Sequence, residues 1–99
     1  MKTLRIASLP DLPLDAASLF EDRWLPEART CDENLLVVFA PADHSHRKWR
    51  LAMVQELARE AAPRRVNAVA SVDDEAIGEA AEYLAEAPGI TGQYLPLAR

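Results

Sequence analysis

Two apolar runs, held a fixed distance apart, limit what this chain can become. Residues 35–40 read LLVVFA between Asn34 and Pro41, and residues 66–70 read VNAVA just after two arginines. A continuous apolar run fits a strand covered on both faces, which is the usual situation of parallel strands in α/β proteins. Between the runs, Pro41 and Ala42 make a turn, Asp43 or Ser45 can serve as N-cap, and a helix is predicted from His46 to Ala62. In that helix Trp49, Met53, Leu57 and Ala61 form an i, i+4 row, joined by Val54 and Ala58. Strand, long crossover and strand make a βαβ unit, with the strands side by side and parallel.

A second unit follows at once. Ser71 with Asp74 three residues on resembles a capping box and starts a helix predicted over 73–86, with Ala76, Ile77, Ala80, Ala81 and Leu84 on its apolar face. Pro88 and Gly89 end it, and 91–97 reads as the last strand. Upstream, Thr3 to Leu9 is expected as a strand, followed by a turn through Pro10, Asp11 and Pro13. Asp15 is expected as N-cap of a helix over 16–24 that turns Leu19, Phe20 and Trp24 inward and is stopped by Leu25 and Pro26. Residues 27–34 are polar and expected as loop. The fold class is therefore α/β: a small Rossmann-like open sheet of about four mostly parallel strands, with helices on both faces, in one domain.

With 99 residues the chain has room for one modest core. A net charge of -5 with 11 basic residues interspersed among 16 acidic ones argues against a nucleic-acid surface. The densest basic cluster, Arg47, Lys48 and Arg50, is spread by near-alternate spacing over different faces of a helix, as at a solvated helix end. Cys31 is the sole cysteine, so no intramolecular disulfide or cysteine-rich zinc site can form. No run approaches the roughly 20 apolar residues of a membrane span, the N-terminal run is too short for a signal peptide, and a cytoplasmic protein is expected.

The residues then become specific. ELAREAAPRRVNAVA, over 56–70, resembles the segment of short-chain dehydrogenases/reductases in which the long active-site helix ends and the sixth strand begins, a variant of LAREL-APR-IRVNAVAPG. YLAEAPGITGQYLPLA, over 83–98, is similar to that family's C-terminal segment, where ITGQ opens a strand leading to VLPVDGG. The resemblance covers Leu35 to Ala98, and its motifs do not reach residues 1–34.

The same register implies a truncated relative without the family's chemistry. Asp43 and Arg47 stand where the family carries its catalytic tyrosine and, four positions on, its lysine. Proline and alanine surround the position of the catalytic serine. The only glycines are 78, 89 and 92, no G-x-G-x-x-G exists to bring backbone close to a pyrophosphate, and Ser71 leads straight into Asp73 where the family has a substrate-covering loop. No cofactor is expected. The right-handed crossover rule would put both helices on one face of the sheet, whereas the resemblance implies a last crossover of unusual hand and a final helix on the opposite face.

Asp43, His44 and His46, with Asp32 or Cys31 nearby in sequence, have no H-x-x-x-H or C-x-x-C spacing to hold a metal, so capping and solvent exposure are their ordinary roles. Asn67, Thr91 and Gln93 match the family's RVNAV and ITGQ and are expected to organise backbone turns. Two functions remain. The first is a non-catalytic, self-associating interaction module, homodimeric or paired with an intact short-chain dehydrogenase. By the resemblance its interface lies on the last helix and strand, at Ile77, Ala81, Leu84, Tyr94 and Leu95. The second is a small-molecule binder or an enzyme of another class, using a crevice at the carboxyl ends of the strands near Asp43, His44, His46 and Ser71.

Overall fold

A computed structural model describes residues 1–98, and its centre is the pair of strands expected from the apolar runs. β2 (Leu35–Phe39) and β3 (Val66–Ala70) are buried at every position and pair parallel, with Leu35 opposite Val66 and Phe39 opposite Ala70. β1 (Lys2–Arg5) lies against β2 and β4 (Tyr94–Pro96) against β3, both parallel, giving a four-stranded sheet in the order β1-β2-β3-β4. α1 (Pro13–Leu19) and α2 (Leu25–Arg29) join β1 to β2, α3 (Arg47–Ala61) joins β2 to β3, and α4 (Asp74–Ala85) joins β3 to β4.

Alternation along the strands divides the core into two layers. Leu35, Val37, Phe39, Val66, Ala68, Ala70 and Tyr94 face Ala28 of α2, Val54, Leu57 and Ala58 of α3, and Phe20 between α1 and α2. Leu36, Val38 and Val69 face Ile77 and Leu84 of α4. Every crossover moves one strand in the same direction, yet α4 lies on the other face, so the last crossover has the opposite hand to the two before it. The right-handed rule is broken once, where the resemblance implies it.

The N-terminal third departs most from expectation. Pro26 does not stop the helix. The N–H of Leu25 reaches back to the carbonyl of Phe20, and a π-helical turn over Phe20–Trp24 carries the chain into α2 with Pro26 in its first turn, where a missing N–H costs little. Residues 27–29, expected as loop, are therefore helical, and Ala28 reaches the core. Leu12, not Asp15, occupies the N-cap of α1, with Pro13 following and Asp15 in the first turn.

Other boundaries shift for local reasons. β1 starts earlier and ends sooner than expected because β2, its only partner, supplies bonds only as far as Val38, whose carbonyl accepts from Ile6 N–H at 2.9 Å. Residues 91–93 turn rather than extend, with Gly92 at φ +73°, so β4 begins at Tyr94. The cap of α4 is Asp73 itself, whose carboxylate accepts from the N–H groups of Glu75 (2.9 Å) and Ala76 (3.2 Å). Ser71 Oγ accepts from Asp73 N–H instead of capping through Asp74.

Candidate functional site

A cavity at the carboxyl ends of the strands lies where β1 and β2 run out. Its volume is about 490 Å³, and the loops 7–11 and 40–43 form its walls together with His46 and Arg50. Crevices at this end of an open α/β sheet form because the loops to the crossover helices diverge there.

The expected crevice residues do not share one space. Asp43 lines this cavity with His46 and also a neighbouring depression with His44, Arg47 and Tyr94, whereas Ser71 is buried beside a third with Arg5 and Val38. Asp43 caps the short 3-10 turn His44–His46: its carboxylate accepts from Ser45 N–H at 2.9 Å and from the Ser45 hydroxyl. The bond from the Ser45 hydroxyl, followed by that from its N–H, holds the Asp43 carboxyl below the usual carboxylate range.

His46 is buried and committed at both nitrogens. The indole N–H of Trp49 can only donate, so Nδ1 accepts from it at 3.1 Å, and Nε2 then carries the proton donated to the Asp11 carbonyl at 2.8 Å. The ring ties α3 to the loop after β1. Cys31 is buried and points its Sγ at the Glu33 carbonyl, and no cluster of three or more metal-ligating side chains occurs among the described residues.

Arg50 is the residue that sequence reasoning misplaced. It is not at a solvated helix end: the side chain is 3% exposed and lines the cavity. Its Nη1 donates to the Ala40 carbonyl at 2.9 Å and to the Tyr94 hydroxyl at 3.1 Å, and its guanidinium carbon sits 4.5 Å from the centre of the Phe39 ring. The signal was present, because position 50 lies four residues before Val54 on the inward row of α3.

The expected interface residues divide by burial. Ile77, Leu84 and Tyr94 are buried within the chain, where they hold α4 and β4 to the sheet, while Ala81 and Leu95 are half-buried at the rim of the same layer.

A parallel open sheet, helices on both faces and a last crossover of reversed hand define a Rossmann-like α/β protein. The family model "Short chain dehydrogenase-like protein" (SDR-like) matches residues 4–97, and the chain belongs to that family. The match takes in β1, α1 and α2, which the sequence motifs had not reached. Comparison with curated proteins and with solved structures returns no match. No helix of the described residues is long and apolar enough to cross a membrane.

Proposed function

We infer that this chain is a non-catalytic short-chain-dehydrogenase-like module that works by association, first of all with a second copy of itself. The acid and base positions that the family resemblance picks out carry Asp43 and Arg47, and Asp43 is engaged as a cap. Neither offers a hydroxyl that could donate a proton to a carbonyl.

The observation that carries the association is the incomplete cover on the α4 face. One helix spans a sheet of four strands, leaving Ala80, Ala81, Ile90, Leu95 and Leu97 half-buried at the rim, and Tyr83 of the same helix is 60% exposed. Strand pairing through the β4 edge is a poor route. In the β3·β4 ladder Tyr94 and Pro96 direct their backbone away from the sheet, and Pro96 has no N–H to give. Side-chain packing around Tyr83, Ala81 and Leu95 is the better one.

Sedimentation velocity at micromolar concentration tests this. A dimer that Tyr83→Glu and Leu95→Glu convert to monomer is the expected result, and a wild-type monomer across that range would remove the proposal. An intact short-chain dehydrogenase is the alternative partner for the same surface, and it would show as a mixed species when the two are sedimented together. Nicotinamide dinucleotides are expected to leave the melting temperature unchanged.

A further inference from the structure

We propose that Arg50 anchors a binding site for a small organic carboxylate in the cavity at the carboxyl ends of β1 and β2. The site goes beyond the association reading and does not depend on it.

The starting point is a buried cation with no counter-ion. None of the ion pairs among the described residues includes Arg50, although its side chain is 3% exposed. Its contacts are all neutral: the Ala40 carbonyl, the Tyr94 hydroxyl and the faces of Phe39, Trp49 and Tyr94, whose ring centres lie 4.5, 5.7 and 5.9 Å from the guanidinium carbon. Ring faces favour a cation, but they do not replace hydrogen-bond acceptors. Both hydrogen bonds leave from Nη1, whereas Nε is buried with no partner and Nη2 makes no bond. The Nε–Nη2 edge of a guanidinium is the fork that grips a carboxylate with two parallel bonds.

Stability gives little reason to keep such a group. A hydrophobic side chain of equal volume commonly packs as well or better than a buried ion, so an uncompensated one calls for a ligand or a special structural role. The bond to Ala40 joins α3 to the end of β2, but it uses one nitrogen of the three. Arg50 is also one of the residues lining a space of about 490 Å³, within the range of small-molecule sites.

Charge decides between anions. Arg50 is the only basic side chain lining the cavity apart from His46, whose nitrogens are both engaged, and Asp11 and Asp43 are also in the lining. The two carboxylates oppose any anion, and a dianion twice as strongly, so only a single negative charge gripped by the guanidinium itself is favoured. A monocarboxylate therefore fits where a phosphate dianion does not.

The test uses the intact chain titrated with acetate, lactate, glycine, succinate and inorganic phosphate, each matched in ionic strength with sodium chloride. A carboxylate at ten times its Kd is expected to raise Tm by about 5–10 °C and to shift the Arg50 Nε–H resonance saturably. Arg50→Met, close in volume, should fold and lose the response. Ala7→Trp fills the cavity from an exposed lining position without touching the core, and should lose it too. If Arg50→Met does not fold, Ala7→Trp and the wild-type resonance still decide. The proposal is overturned if no carboxylate exceeds the chloride control, if phosphate gives the larger response, or if the response survives either substitution.

Discussion

The carboxamide of Asn67 accepts from the backbone N–H of Gln93 at 3.1 Å and so locks the start of β3 to the turn that opens β4. Its Nδ2 donates to the Ile90 carbonyl at 3.0 Å, and beside it Thr91 Oγ1 accepts from Val66 N–H at 3.1 Å. Arg65 completes the joint: its Nη1 donates to the carbonyls of Leu84 (2.8 Å) and Ala87 (2.9 Å), closing the C-terminal end of α4. RVN and ITGQ are distant in sequence but form one structural unit. Asn67 is buried, so Asn67→Ala strands the Gln93 N–H and weakens the hold on Ile90, an expected loss of about 2–4 kcal/mol in urea unfolding. Asn67→Asp keeps the acceptor but sets a buried carboxylate against the Ile90 carbonyl, which raises its pKa. That variant should be least stable at neutral pH and recover as pH falls, whereas Asn67→Ala should not.

Two glycines of the chain should respond to alanine in opposite directions. Gly92 has φ +73°, and its N–H donates to the Val66 carbonyl at 2.7 Å, so the left-handed conformation is fixed by the same joint. A Cβ there would meet Ala58 Cβ at 3.7 Å, an ordinary contact, and the penalty is conformational, about 1–2 kcal/mol. Gly78 sits inside α4, and a methyl group added there would have open space for 4 Å around it, so Gly78→Ala should stabilise by about 0.5–1 kcal/mol. Thermal unfolding of the two single variants measures both.

Legibility followed the reach of the interactions. β2, α3, β3 and α4 were readable because their apolar patterns match the burial, and the hand of the last crossover came only from the family resemblance, since no local pattern encodes which face a helix chooses. The segment before residue 35 was the hardest. Pro26 is a strong local stop, but the π-turn at Phe20 to Trp24 absorbs it, helped by the contact of Phe20 with Phe39 (5.5 Å between ring centres) and with Trp49 (5.8 Å). The place of Arg50 is hidden in the sequence for a different reason. Its neighbours Arg47 and Lys48 are exposed, and charge clustering outweighed its place on the inward row of α3. Of the crevice residues, Asp43 and His46 share a cavity, but what most distinguishes that cavity is the arginine between β2 and β4.

Acid should loosen the contact of α2 with α3. Arg29 donates to Glu60 through Nε at 3.0 Å and Nη2 at 2.9 Å, a bidentate pair joining helices far apart in sequence. That hydrogen bonding holds Glu60 below its usual 4.5 and raises Arg29. A depressed folded pKa gives stability that is present in full above the unfolded value and lost as pH falls through the folded one, so the contribution fades below about pH 4.5. Both groups are solvent-exposed, and screening keeps the effect small. Urea midpoints followed from pH 6 to pH 3 should fall less steeply in Glu60→Gln than in the wild type.

The proposed self-association through the α4 face should tighten, not weaken, as salt is added. The outward pole of α4 carries Glu75, Glu79 and Glu82, with Glu86 one turn beyond, and each chain brings a net charge of -5. A twofold contact that uses Tyr83, Ala81 and Leu95 runs beside that acidic column, so two copies repel at long range while their apolar rims attract at short range. Screening removes the first term and leaves the second nearly untouched. Raising sodium chloride from about 0.05 to about 0.5 M, where the Debye length shrinks from about 14 Å to about 4 Å, is expected to lower the dimer Kd several-fold in sedimentation equilibrium. An increase in Kd over the same range would mean that the contact is held by ion pairs, and would move the interface away from Tyr83.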